Sequence, residues 1–210
     1  MYSNSGYFLM AVLVKRATGM SIRDYTNQYF FQPLGMNHTH FHDNRDMIVK
    51  NRAESYYVKN DSVLERVHSS FDLVGSGGLL SNIDDLIREK LSSDGQVLNL
   101  KAQFLREVGA KELAKREELK NVRSMDLSQN GIGDEGVRAI AESNVFSNLR
   151  NLNLASNNIS DEGAKCLATS KKLNKLRSLQ LVVNDISEEG EKILRNSTDL
   201  TSLTSLKFRV

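Results

Sequence analysis

Three short stretches hold residues that can bind a metal or an anion or exchange a proton. Tyr2-Ser3-Asn4 is a Tyr-x-Asn triplet set directly ahead of an apolar run, a phenol that can exchange a proton two residues from an amide that can hydrogen-bond. His38, His40 and His42 alternate with Thr39 and Phe41. On an extended strand their three imidazoles face one side, with Asp43 beside them as a fourth donor, a ligand set that suits zinc. Gly75-Ser76-Gly77-Gly78 has the composition of a phosphate cradle. It lacks the following lysine and the glycine spacing that such a cradle needs. Thr169 and Lys172 are the closest approach to a hydroxyl nucleophile paired with a lysine, and their position late in a helix fits a solvated helix end.

The elements that must position these residues divide the chain in two. Residues 5 to 17 read as a helix that Gly19 stops, and Ser21-Ile22-Arg23-Asp24 opens a second with a capping pattern, ending before Pro33. From residue 95 a repeat takes over. "VRSMDLSQNGIGDEG" at Val122, "LRNLNLASNNISDEG" at Leu149, "LRSLQLVVNDISEEG" at Leu176 and "LTSLKF" at Leu203 follow one another every 27 residues. Gly136, Gly163 and Gly190 keep the same step, as do Phe146, Leu173 and Leu200. One period earlier, Gly109 and Leu119 mark a degenerate copy with Leu98 and Leu100. The expected units are 95–121, 122–148, 149–175 and 176–202, with a stub at 203–210, preceded by a separate domain at 1–94.

The pattern Leu-x-x-Leu-x-Leu-x-x-Asn-x-Ile, then an acidic residue and a helix, resembles leucine-rich repeats of the ribonuclease-inhibitor-like subclass. The fold class is therefore α/β: a solenoid of short parallel strands and helices, following a mostly helical fragment of another domain. Leu152 and Leu154 should alternate inward on a strand. Asn157, with Asn130 and Asn184 in the same slot, should satisfy backbone groups at the turn, and Asp161 should cap the helix that follows. Cys166 shares a slot with Ala139 and Ile193 and reads as a small hydrophobe on a buried helix face.

The first half carries a second resemblance. "YSNSGYFLMAVLVKRATGMSIRDY", "PLGMNHTHF" and "GSGGLLSNIDDL" in that order resemble the serine beta-lactamase-related family, which includes class C beta-lactamases, penicillin-binding proteins and related esterases. The resemblance covers about residues 1 to 91. It implies that Tyr2 is the phenol that passes a proton to and from a serine nucleophile and that Asn4 orients the substrate amide. It also implies structural slots at Thr39 and Phe41, which leaves the histidines in variable, exposed positions and favours no metal and no cofactor. The family's acyl-enzyme chemistry needs a Ser-x-x-Lys nucleophile and a late Lys-Thr-Gly or His-x-Gly strand. Neither occurs in this sequence, nor does a Gly-x-Ser-x-Gly elbow. The expectation is a chain that begins within a hydrolase domain and lacks its nucleophile, a truncated or fused form unable to carry out acyl transfer alone. Such a truncation would leave Phe8, Leu9, Val12 and Leu13 without cover.

Function is then expected on the repeat strands, as a protein-interaction surface. Outward slots should line up in columns about 5 Å apart. One column reads Arg123, Arg150, Arg177 and Thr204, a central one Asp126, Asn153, Gln180 and Lys207, and a third Ser128, Ala155 and Val182. Residues 95–210 hold 18 basic and 15 acidic residues, against 10 and 11 in residues 1–94, so an acidic protein partner is favoured. A formal net charge of +2 from 28 basic and 26 acidic residues gives no field that argues for nucleic acid or an anionic membrane. One cysteine rules out an internal disulfide framework and fits a reducing compartment. The apolar run Tyr7 to Val14 is too short to span a bilayer, and Lys15 and Arg16 follow it where a signal peptide carries its charges in front. A cytoplasmic location is expected.

Overall fold

An apolar stretch free of glycine and proline from Phe8 to Thr18 favours helix, and α1 spans Asn4–Thr18. The computed structural model describes residues 4–43, 56–59, 63–66 and 79–209, within two compact units, Met1–Asp85 and Leu86–Val210. Gly19 ends α1 with φ +75°, a conformation that costs an L side chain dearly, and its N–H donates to Lys15 O at 2.9 Å. Helix α2, Ile22–Thr26, starts where Ser21 accepts from Asp24 N, and it runs on as a π-helical turn over Asn27–Phe31 that stops before Pro33. Strand β1, His40–Phe41, pairs antiparallel with β4, Leu79–Leu80, and β2, Tyr56–Lys59, pairs antiparallel with β3, Val63–Arg66. Helix α3, Ile83–Lys90, follows. Phe8, Leu9 and Leu13 of α1 are exposed, as the sequence led us to expect; Val12 is half-buried and Ala11 buried.

In the second unit the 27-residue period becomes structure. Strands β5 (Val97–Asn99), β6 (Ser124–Asp126), β7 (Asn151–Asn153), β8 (Ser178–Gln180) and β9 (Ser205–Lys207) form one parallel sheet in chain order. Between them run helices α4 (Arg106–Leu113), α5 (Gly133–Glu142), α6 (Asp161–Ala168) and α7 (Glu188–Arg195). The register never slips, since Leu98, Met125, Leu152, Leu179 and Leu206 pair in sequence across the five strands. All but Leu206 of that row are buried, together with Leu100, Leu127, Leu154 and Leu181 behind them. At about 1.5–3 kcal/mol for each fully buried aliphatic side chain, this double row is the main force that holds the sheet to its helices.

The helix entries differ from expectation in an informative way. Asp161 does not cap α6; Ser160 does, accepting from Glu162 N at 3.2 Å. The Asp161 carboxylate reaches the next repeat, where Oδ1 accepts from Ser187 N at 2.8 Å and Oδ2 from Ser187 Oγ at 2.6 Å. Asp134 does the same one repeat earlier, to Ser160 N, Ser160 Oγ and Gly163 N at 2.8, 2.6 and 3.0 Å. That approach explains the glycines at 163 and 190, because a Cβ at Gly163 would lie 2.5 Å from Asp134 Oδ1 and one at Gly190 would run into Asp161 Oδ1, whereas at Gly136 the obstacle is Ile132 Cγ2. A charged acceptor thus links consecutive helices, and the repeats are tied by hydrogen bonds as well as by apolar contact.

Asn157 is wholly buried, and its Oδ1 accepts from Asn130 N at 3.1 Å and Ile132 N at 3.3 Å. Its Nδ2 donates to Leu127 O at 2.9 Å and Ala155 O at 3.2 Å. Asn130 and Asn184 make equivalent bonds, so the expected role of this slot holds. A serine ladder accompanies it at the helix exits: Ser143 Oγ donates to Ala114 O and Ser170 Oγ to Ala141 O, both at 2.5 Å, and Ser197 Oγ to Ala168 O. Cys166 is half-buried, and the inward position on α6 belongs to Leu167 beside it, so the buried-face expectation was one residue out of phase. Burial pushes the thiol pKa up, which keeps the thiolate scarce. No helix among the described residues is long and apolar enough to cross a membrane.

Candidate functional site

The outward face of the parallel sheet gathers the side chains that the period aligned. Asp126, Asn153, Gln180 and Lys207 pair in register across four strands, and Asn99 of β5 joins the same row. Three of these residues are already engaged. Asn99 Oδ1 accepts from Lys101 N at 3.2 Å. Asp126 Oδ1 accepts from Ser128 N at 2.9 Å and Ser128 Oγ at 2.7 Å, and its Oδ2 accepts from Asn153 Nδ2 at 3.1 Å. Asn153 Oδ1 accepts from Ala155 N at 3.1 Å. These are turn-forming bonds that compete with any external ligand for the same lone pairs. Ser128, expected to point outward, is buried by this arrangement.

Arg123, Arg150 and Arg177 are bound to one another through their backbones just before the strands. Arg150 N donates to Arg123 O at 2.8 Å, Arg177 N to Arg150 O at 2.7 Å, and Thr204 N to Arg177 O at 2.9 Å. Adjacent arginine Cα atoms are therefore one strand spacing apart, about 4.8 Å. Arg123 and Arg177 are exposed and Arg150 is half-buried. Among the described residues none of the three takes part in an ion pair. Asp94 is the acidic neighbour of Arg123: hydrogen bonds from Ser92 and Gln96 hold its carboxyl below the usual range, and the Arg123 charge adds to that.

One row of this face escaped the sequence reading. Val97, Ser124, Asn151, Ser178 and Ser205 pair across all five strands, between the arginine column and the Asp126 row. The signal was present as a slot that holds a small polar residue in four successive repeats.

In the first unit the family-like motifs meet. Thr39 is buried, and its Oγ1 lies 2.7 Å from Asp85 Oδ2 and 2.8 Å from Ser81 Oγ. Asp85 Oδ2 also accepts from His38 N at 2.9 Å, and Asp85 N donates to Asn82 Oδ1 at 2.9 Å, which starts α3. The "HTH" segment is thereby tied to "SNIDDL" through a buried carboxylate, a structural use of those residues. The three histidines do not converge. His38 lies with Nδ1 3.9 Å from Asp85 Oδ1, while the His40 and His42 rings sit 6.1 Å apart. Burial and then the Arg23 charge hold the His40 pKa below its usual value. Among the described residues no group of three His, Cys, Asp or Glu side chains is placed to hold a metal. Asp43 instead faces Arg23 at 3.4 Å. Tyr2 and Gly75–Gly78 lie outside the described residues, and Asn4 is described only as the first residue of α1.

A family model described as Beta-lactamase matches residues 1–129, and one described as Leucine Rich repeat matches 118–141 and 147–168. The first match covers more than half of the chain, and the chain belongs to the beta-lactamase family. It runs on through 97–129, residues that here form β5, α4 and β6 of the parallel sheet. Penicillin-binding protein 4* of Bacillus subtilis (strain 168) is 47% identical over 45 residues, 21% of this chain. The chain matches only 10% of that relative's length.

Proposed function

We propose that the protein is an interaction module in which leucine-rich repeats, stacked as a solenoid, present their strand face to a protein partner, joined to a beta-lactamase-like part that lacks catalytic completeness. The proposed domains are 1–94 and 95–210, with repeat units 95–121, 122–148, 149–175 and 176–202 and the stub 203–210. The single observation that supports this most is the column Arg123, Arg150 and Arg177, exposed or half-buried and without an ion pair among the described residues. Three arginines on neighbouring strands repel, Asp94 offsets the charge of Arg123 alone, and arginine is enriched at interface hot spots. Asp126, Asn153 and Gln180 form the neighbouring contact row, with less freedom because two of them hold their own turns. The partner we propose is acidic, and the site of action cytoplasmic.

Affinity capture with the full chain, with Arg150→Glu and with Lys192→Glu on α7 tests this reading by quantifying the same retained proteins across all three. Partners lost with Arg150→Glu and kept with Lys192→Glu support it. Equal retention by all three contradicts it.

A second reading is favoured by the penicillin-binding relative: a serine hydrolase whose complete form acts on an ester, amide or beta-lactam through an acyl-enzyme. In it Tyr2 relays the proton and Asn4 orients the substrate. The sequence here contains no Ser-x-x-Lys to be acylated, so this reading assigns the chain itself no turnover.

A further inference from the structure

The spacing of the arginine column selects a particular kind of partner. Arg123, Arg150 and Arg177 rise by one strand each, flanked in the same slot by the neutral Gln96 and Thr204. The column therefore offers three cations at a repeat of about 4.8 Å, running across the strands. An α-helix that carries acidic residues on one face repeats them once per turn, about 5.4 Å apart. Over the two steps between three arginines the mismatch is about 1 Å, which long arginine side chains absorb. An extended peptide repeats one face about every 6.8 Å and drifts out of phase by about 4 Å over the same span. The adjoining row Ser124, Asn151, Ser178 and Ser205 is short and uncharged, so it gives a rounded helix room to approach. Asp126, the carboxylate of the following row, has both oxygens engaged by Ser128 and Asn153. No aromatic side chain stands in either row to stack a base, which disfavours single-stranded nucleic acid.

We propose that the arginine column docks an acidic α-helix laid across the strands, with one carboxylate per helical turn against Arg123, Arg150 and Arg177. This rests on the strand-face reading above and adds the secondary structure and charge spacing of the partner. Arg123 and Arg177 are exposed and Arg150 is half-buried, so the three ion pairs together supply specificity and a strong salt dependence more than raw affinity.

The test uses the full chain and two stapled, fluorescein-labelled helical peptides of identical composition. One carries Glu at i, i+4, i+7 and i+11; the other distributes the same residues around the helix. Fluorescence anisotropy at low salt is expected to give at least about tenfold tighter binding of the one-faced peptide. Arg150→Glu should abolish that preference, and Arg177→Gln, a change at an exposed site that leaves the fold intact, should reduce it several-fold. Equal binding of the two peptides, binding of neither, or tighter binding of an oligouridylate through the same arginines overturns the acidic helix. Because the capture comparison of Arg150→Glu with Lys192→Glu does not use these peptides, the strand-face reading stands or falls separately.

Discussion

Replacing Asn157 by alanine isolates the polar framework of the repeats. The side chain is wholly buried and makes four hydrogen bonds to backbone groups, two as acceptor and two as donor. Each lost bond of this kind costs about 1 kcal/mol net, and a buried partner left unsatisfied costs about 1–3 kcal/mol. With some of the four groups reached by water after relaxation, Asn157→Ala should destabilise the repeats by about 3–5 kcal/mol. Asn184 supplies the internal control. It also makes four bonds to backbone groups, accepting from Asn157 N and Ile159 N and donating to Leu154 O and Leu181 O, but is only half-buried. Solvent can replace its contacts, so Asn184→Ala should cost about 1–2 kcal/mol. Urea unfolding followed by far-UV circular dichroism measures both, since the chain contains no tryptophan. Equal losses for the two variants, or less than about 1 kcal/mol for Asn157→Ala, would refute the reasoning that burial of the ladder sets its worth.

Further outcomes follow from the same structure. Gly163→Ala should cost about 2–3 kcal/mol, because the new methyl meets both Asp134 Oδ1 and Ile159 Cγ2 at 2.5 Å; an unchanged unfolding midpoint contradicts this. Asp161 has its pKa lowered by the hydrogen bonds from Ser187 Oγ and N. A depressed carboxylate contributes stability above its unfolded value and loses it as pH falls through the folded one, so the gap between wild type and Asp161→Ala should be constant above about pH 4 and close below it. A gap that widens on acidification refutes the assignment. Neither turnover of a chromogenic beta-lactam nor labelling by a fluorescent penicillin is expected, and stoichiometric labelling abolished by Tyr2→Phe would contradict that. Limited proteolysis should leave a resistant fragment that begins between about residues 86 and 105, because apolar Phe8, Leu9 and Leu13 are exposed whereas the repeat leucines are not; equal survival of both units contradicts it.

The parts of the fold that were legible in the sequence are those set by a local period. Leu152 and Leu154 alternate inward, Asn130, Asn157 and Asn184 turn the chain, and Gly19 and Ser21 punctuate the first helices, each through bonds within a few residues or at the repeat step. What was missed acts across the period. Asp134 and Asp161 serve the helix of the following repeat, 26 and more residues away, where a local rule assigned them to their own. The serines at 143, 170 and 197 were visible as a recurrence, but their acceptors, carbonyls 29 residues earlier, exist only once the units stack. His38 turned to Asp85 because alternation along a strand requires a strand, and β1 extends for only two residues. Of the candidate site, the arginine column was readable as a column, while the prior commitment of Asp126 and Asn153 to their turns was not.

Arginine-specific footprinting with phenylglyoxal, read by mass spectrometry with and without a captured partner, bears most directly on where this protein acts. Arg123, Arg150 and Arg177 lie on the strand side, whereas Arg138 and Arg195 lie on helices α5 and α7. Partner binding is expected to protect the first three and leave Arg138 and Arg195 reactive. Protection of Arg138 or Arg195 with the strand-side arginines still modified would place the interaction elsewhere and contradict it.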